Sequence, residues 1–180
     1  MTEEQVEISL NTKKLKLSFW NKVTHFGIVG FLIFIPASFA FLHFKDALND
    51  KSKVITTKDL LIVLIPLGIA LLFYILQSNR LKFQEVDTNL SKQQLKDIIE
   101  KVANQLGWFP KEVNDNYIVA ITHPSLWSGS WGEQITILFT KNKILINSIC
   151  DPGRASSITS MGRNRKHVNK LIEEIKNASR

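Results

Sequence analysis

The residues best suited to chemistry lie near the C-terminus. Between Pro152 and Ile172 the chain carries Arg154, Arg163, Arg165, Lys166 and Lys170 and no acidic side chain, and Ser156, Ser157, Thr159 and Ser160 add hydroxyls just before a helical pattern. A helix N-terminus exposes amides, so guanidinium, ammonium, hydroxyl and amide donors converging there would cradle a phosphate or an anionic headgroup. Arg154, Ser160, Arg163, Arg165, Lys166 and Lys170 are therefore the candidate anion-binding set. The opposing reading is a solvated charge run, because basic side chains are not what the first turn of a helix favours electrostatically.

A second candidate is the stretch His123 to Glu133, HPSLWSGSWGE, in which Trp127 and Trp131 stand among Ser and Gly. Its rings either form a tip that grips a membrane interface or a partner, or complete the core. The core reading weighs more, since a small domain has few other large side chains to cover its sheet. Ser125, His123 and Glu133 are all present, but such short spacing is not triad geometry. No nucleophile elbow, zincin pair, P-loop or dinucleotide fingerprint occurs. The lone Cys150 supplies neither an internal disulfide nor a thiolate metal set. An enzyme, a cofactor and a metal site are not expected.

The elements that would position these residues follow from periodicity. Ser91 and Gln94 fit a capping box, after which Leu95, Ile98, Ile99, Val102 and Leu106 share a helical face up to a stop at Gly107. This predicts a helix over 92–106, with Trp108 and Phe109 folding back onto the core. Three strands are predicted at Asn116–Thr122, Gln134–Thr140 and Lys143–Ile149, forming an antiparallel sheet. A last helix over 164–177 puts Val168, Leu171, Ile172 and Ile175 on one stripe. The expected domain, 83–180, is a small two-layer α/β arrangement: helix, three-stranded antiparallel sheet, helix.

Upstream, Phe26 to Phe44 and Leu60 to Leu76 contain no Asp, Glu, Lys or Arg. As helices they would be about 28 Å and about 25 Å long, close to a hydrocarbon core of roughly 30 Å. Neither keeps the polar stripe of a core helix in a small domain. The fold class expected is membrane α+β: a transmembrane hairpin of helices over 25–44 and 60–78, joined by a short external loop over 45–59, ahead of the domain. Pro36 and Pro66 are ordinary in such spans. Gly27 and Gly30 offer small residues at helical spacing, a weak packing signal. With no acidic residue inside either block to continue a relay, His25 and His43 read as interfacial.

Within 1–24, Val6, Ile8 and Leu10, then Leu15, Leu17 and Phe19, alternate around a polar break. That pattern predicts a β-hairpin joining the domain sheet; the competing reading is an interfacial segment in which Lys14, Lys16, Trp20 and Lys22 grip headgroups. In layout alone, strands, membrane hairpin and cytoplasmic α/β domain, the plan resembles bacterial membrane proteins with pleckstrin-homology-like domains. Those have more strands and a single closing helix, and no residue is carried over.

The formal charge of +7 arises from 23 basic and 16 acidic residues spread along all 180 positions, so nucleic acid is not an expected partner. Eight Lys and Arg flank the two blocks on their outer sides against four between them, which places both termini in the cytoplasm of a multi-pass protein of the cytoplasmic (inner) membrane. The function expected is non-enzymatic: the domain docks a protein partner or anionic lipid, while the hairpin anchors it in the lipid bilayer and offers a surface for a homo-oligomer or a membrane-complex partner. The alternative is a ligand-gated membrane effector sensing a phosphorylated signal at the basic patch.

Overall fold

The computed structural model describes residues 1–49, 56–123, 131–157 and 160–179. The connection 50–55, the loop 124–130 with Ser125 and Trp127, and Thr159 lie outside the described residues. Met1–His25 and Asn79–Arg180 form one compact unit, and Phe26–Ser78 forms another.

In the first unit, α1 (Glu3–Thr12) and α2 (Phe19–His25) precede β1 (Gln84–Asp87), α5 (Lys92–Leu106), β2 (Trp108–Val113), β3 (Tyr117–Thr122), β4 (Glu133–Phe139), β5 (Lys143–Cys150) and α6 (Arg163–Ala178), while α3 (Gly27–Asn49) and α4 (Thr57–Arg80) fall between α2 and β1. The fold is α+β. Its open sheet has the order β1-β5-β4-β3-β2 with every neighbouring pair antiparallel.

Period-two alternation sends the strands' side chains to two different cores. Ile118, Ala120, Ile135, Ile137, Ile144 and Ile146 pack with Leu95, Ile99 and Val102 of α5 and Val168, Leu171 and Ile175 of α6. Tyr117, Val119, Leu138, Leu145 and Ile149 face the other way, against Val6 and Leu10 of α1 together with Leu15 and Phe83. Each fully buried Ile or Leu contributes about 1.5–3 kcal/mol relative to exposure, so neither face can be left wet. The sheet is thus sandwiched between helices on both sides, which corrects the two-layer expectation.

The expectation of three strands is corrected to five. The additional ones are the two edges: β1 is only four residues, and β2 contains Pro110 at a register shift opposite β3. A short polar strand has little periodicity, and Pro is tolerated only where no ladder bond is required of it. Trp108 is buried as expected, whereas Phe109 is exposed. The helix over 92–106 forms with Ser91 and Gln94 as a reciprocal capping box and Gly107 as its left-handed cap.

The N-terminal β-hairpin does not form. Thr2 and Gln5 build a second capping box, and α1 lays Val6, Ser9 and Leu10 against the unit before Lys13 ends it in the left-handed region at φ 55°. The buried Ser9 hydroxyl accepts the Lys16 amide at 2.9 Å, turning the chain into an extended stretch. There the Leu15 amide donates to the Leu81 carbonyl at 2.8 Å and the Phe83 amide to the Lys13 carbonyl at 3.0 Å. The buried Asn147 amide donates to the carbonyls of Arg80 at 2.8 Å and Lys82 at 2.9 Å, fastening this clasp to β5.

Phe26–Ser78 is helical on both sides of its polar connection. Thr56 and Asp59 exchange hydrogen bonds at the start of α4, and Pro36 and Pro66 lie inside α3 and α4. A Cβ placed on Gly30 or Gly68 would meet nothing within 4 Å, so neither marks a close helix approach. By itself α4 is long and apolar enough to cross a membrane; the described apolar stretch of α3 meets that standard together with α2, across a break.

Candidate functional site

A buried polar cluster lies where β3 ends, β4 begins and α6 starts. Thr122 and Glu133 are in phase with Ile118, Ala120, Ile135 and Ile137, so the strand pleat delivers both to the face under α5 and α6. Arg163 and His167, one helical turn apart at the start of α6, project beside them. The Glu133 carboxylate is fully buried. Its Oε1 lies 2.9 Å from Arg163 Nε, its Oε2 accepts from the Thr122 hydroxyl, and its backbone amide donates to the same hydroxyl at 2.9 Å.

His167 completes the cluster. The Trp108 indole N–H donates to His167 Nδ1 at 2.8 Å. Because an indole nitrogen only donates, Nδ1 is an acceptor and the neutral ring carries its proton on Nε2, 3.6 Å from Glu133 Oε2. Both ring nitrogens are directed inward. The arrangement ties four elements together, β2, β3, β4 and α6, through one carboxylate and one imidazole.

Outside this buried layer is a rim of larger exposure. Arg154 Nη1 donates to the Trp131 carbonyl at 3.0 Å, Nη2 meets His123 Nδ1, and Nε lies 3.8 Å from Asp151 Oδ2. Asp151 is itself braced by the Gly153 amide at 2.9 Å. The His123 ring packs on Phe109 with centroids 4.9 Å apart. Trp131 is 60% exposed and Phe109 53%, so these rings are presented outward instead of filling the core.

The six residues expected to hold an anion are distributed along the same region but do not converge on one cradle. Arg163 is engaged by Glu133 and Arg154 by the rim. Ser160 is buried and its hydroxyl accepts the Asn164 amide at 3.3 Å. Lys170 pairs with Glu174 at 2.9 Å and Glu173 at 3.5 Å, and the hydrogen bond to Glu174 raises its pKa. Arg165 and Lys166 are exposed. Glu174 itself is pulled from 4.5 to about 2, by its hydrogen bond from Lys101 first and from Lys170 second.

Sequence reasoning missed Glu133, Thr122, Trp108 and His167 as one group. A signal for part of it is present: a carboxylate in phase with the buried Ile135 and Ile137 demands a cation or donors from another element. Which element supplies them cannot be read from spacing. No protein-family model matches the chain, and no curated protein matches it significantly. The site's meaning rests on its own geometry.

Proposed function

We propose that the chain is a non-enzymatic, membrane-anchored docking protein. Phe26–Ser78 acts as a two-span hairpin that fastens the α+β unit to the cytoplasmic face of a membrane, and the unit engages a protein partner through the patch of Phe109, His123, Trp131 and Arg154. The observation that carries the reading is the clasp between 13–15 and 81–83: the chain leaves and re-enters the same folded unit through hydrogen-bonded neighbours. A segment that enters a bilayer and returns to one side crosses it an even number of times. Only 6% of the most apolar window of α4 is buried, the reverse of a soluble core helix. For the docking half, Trp and Arg side by side at the surface are the residue types that dominate protein interfaces.

Alkaline extraction of membranes, with site-directed labelling, tests the anchor. In a Cys150→Ser background, Ser52→Cys should react with an impermeant maleimide from outside intact cells and Lys141→Cys should react only after lysis. Release of the chain into the alkaline supernatant, or labelling of both positions from the same side, overturns the hairpin. A photo-crosslinking side chain at Val113, which is 57% exposed on the edge strand β2, should give one discrete adduct that Trp131→Ala abolishes. A labelled hairpin with no adduct removes the docking half alone.

A further inference from the structure

We infer that α2 is a lipid-surface anchor whose outer face lies in the anionic headgroup layer of the leaflet from which the hairpin starts; this rests on the membrane reading of Phe26–Ser78. Phe19, Trp20 and Val23 are 71%, 74% and 48% exposed, the first two rings packed edge to face with centroids 5.2 Å apart. On the other side of the helix Asn21 lines a groove with Lys111, Glu112 and Gln134, and His25 is buried. The helix therefore has an inner face on the folded unit and an apolar outer one. It is seven residues, about 10 Å, too short to span and long enough to lie along a surface.

Three features favour lipid as the occupant over a second copy or another protein. In the chain α2 immediately precedes the apolar stretch, since α3 begins two residues after His25. Aromatic rings with an amphipathic edge, such as Trp20, are the side chains that settle at a membrane–water boundary. Along this part of the chain the charge is of one sign: Lys14, Lys16 and Lys22 occur with no acidic residue between Glu7 and Asp46, while Lys13 is already paired with Glu85 at 2.6 Å. A cationic strip beside exposed aromatics complements phosphate-bearing headgroups.

The test uses the full chain in lipid nanodiscs containing phosphatidylglycerol, with Trp127 and Trp131 replaced by Phe so that Trp20 reports beside the buried Trp108. Nitroxide lipids labelled at the headgroup or at the fifth acyl carbon should quench Trp20 at least twofold more than lipids labelled at the twelfth, and Trp20→Phe should remove the difference. Shallow quenching should fall in phosphatidylcholine discs and in a Lys16→Glu, Lys22→Glu variant. A chain that co-elutes with the discs but is unquenched overturns the inference and leaves the hairpin standing, as does shielding of Trp20 that appears only in a dimer. Strongest quenching at the twelfth carbon overturns it too, by placing α2 in the span, and quenching indifferent to headgroup charge overturns the anionic assignment. Failure to co-elute with discs removes the hairpin reading itself.

Discussion

Glu133 is a charge held in an apolar layer, and its surroundings show what that requires. A buried carboxylate is tolerated when its oxygens are paired, and here Arg163 and Thr122 supply the partners, with the His167 ring beside them. Glu133→Gln should therefore destabilise the unit by about 1–3 kcal/mol, read as a lowered urea midpoint, because Arg163 Nε loses its anion while staying partly covered. Trp108→Phe keeps the packing but leaves His167 Nδ1 without its donor, with a loss of about 1–3 kcal/mol by the same measurement. The two variants should be non-additive, since they act on one connected network. Gly107 is a different case: at φ +66° with nothing within 4 Å of a Cβ, Gly107→Ala should cost about 1–2 kcal/mol from backbone strain alone.

At the level of elements, Lys101 of α5 reaches Glu174 of α6 at 2.8 Å, and Lys170, one turn earlier on α6 itself, meets the same carboxylate at 2.9 Å. The folded pKa of Glu174 is below its ordinary value, so the contribution is complete above pH 4.5 and is lost as pH falls toward about 2. The gap in urea midpoint between the wild type and Glu174→Gln should close over that window. The clasp is the other inter-element device. Asn147→Ala removes both donors to Arg80 and Lys82 carbonyls, which should cost about 1–3 kcal/mol and speed hydrogen exchange at the Leu15 and Phe83 amides before those of β4. Equal acceleration across the sheet would mean that Asn147 supports the core and not the clasp.

For the whole molecule, both hydrophobic cores draw on residues outside 26–78. Replacing Phe26–Ser78 by a flexible Gly-Ser linker should thus leave a chain with the same strand and helix signature by circular dichroism, now extractable from membranes without detergent. A linker variant that fails to fold would show that the apolar segment contributes to the unit's stability. The N-terminal segment, by contrast, is part of the unit: Val6 lies in one of its cores, Tyr117 donates to the Met1 carbonyl at 2.7 Å and to Glu112 at 2.9 Å, and the N-terminal ammonium pairs with Glu112 and lowers its pKa.

Local patterns in the sequence determined α5, α6, β3, β4, β5 and the two apolar blocks, because caps, period and hydropathy are written in neighbouring residues. The Ser91 box, the Gly107 stop and the stripe from Val168 to Ile175 need no distant partner to be read. Tertiary structure alone decided the rest. Val6, Ile8 and Leu10 alternate as a strand would, yet the capping box at Thr2 and a sheet face for Val6 and Leu10 to cover made the segment a helix. Edge strands β1 and β2 exist because β5 and β3 offer them ladders, and of two Trp side chains the fold buries Trp108 and exposes Trp131. Glu133, Trp108 and His167 meet only through folding: residues 59 apart hydrogen-bond, and no spacing rule reaches that far.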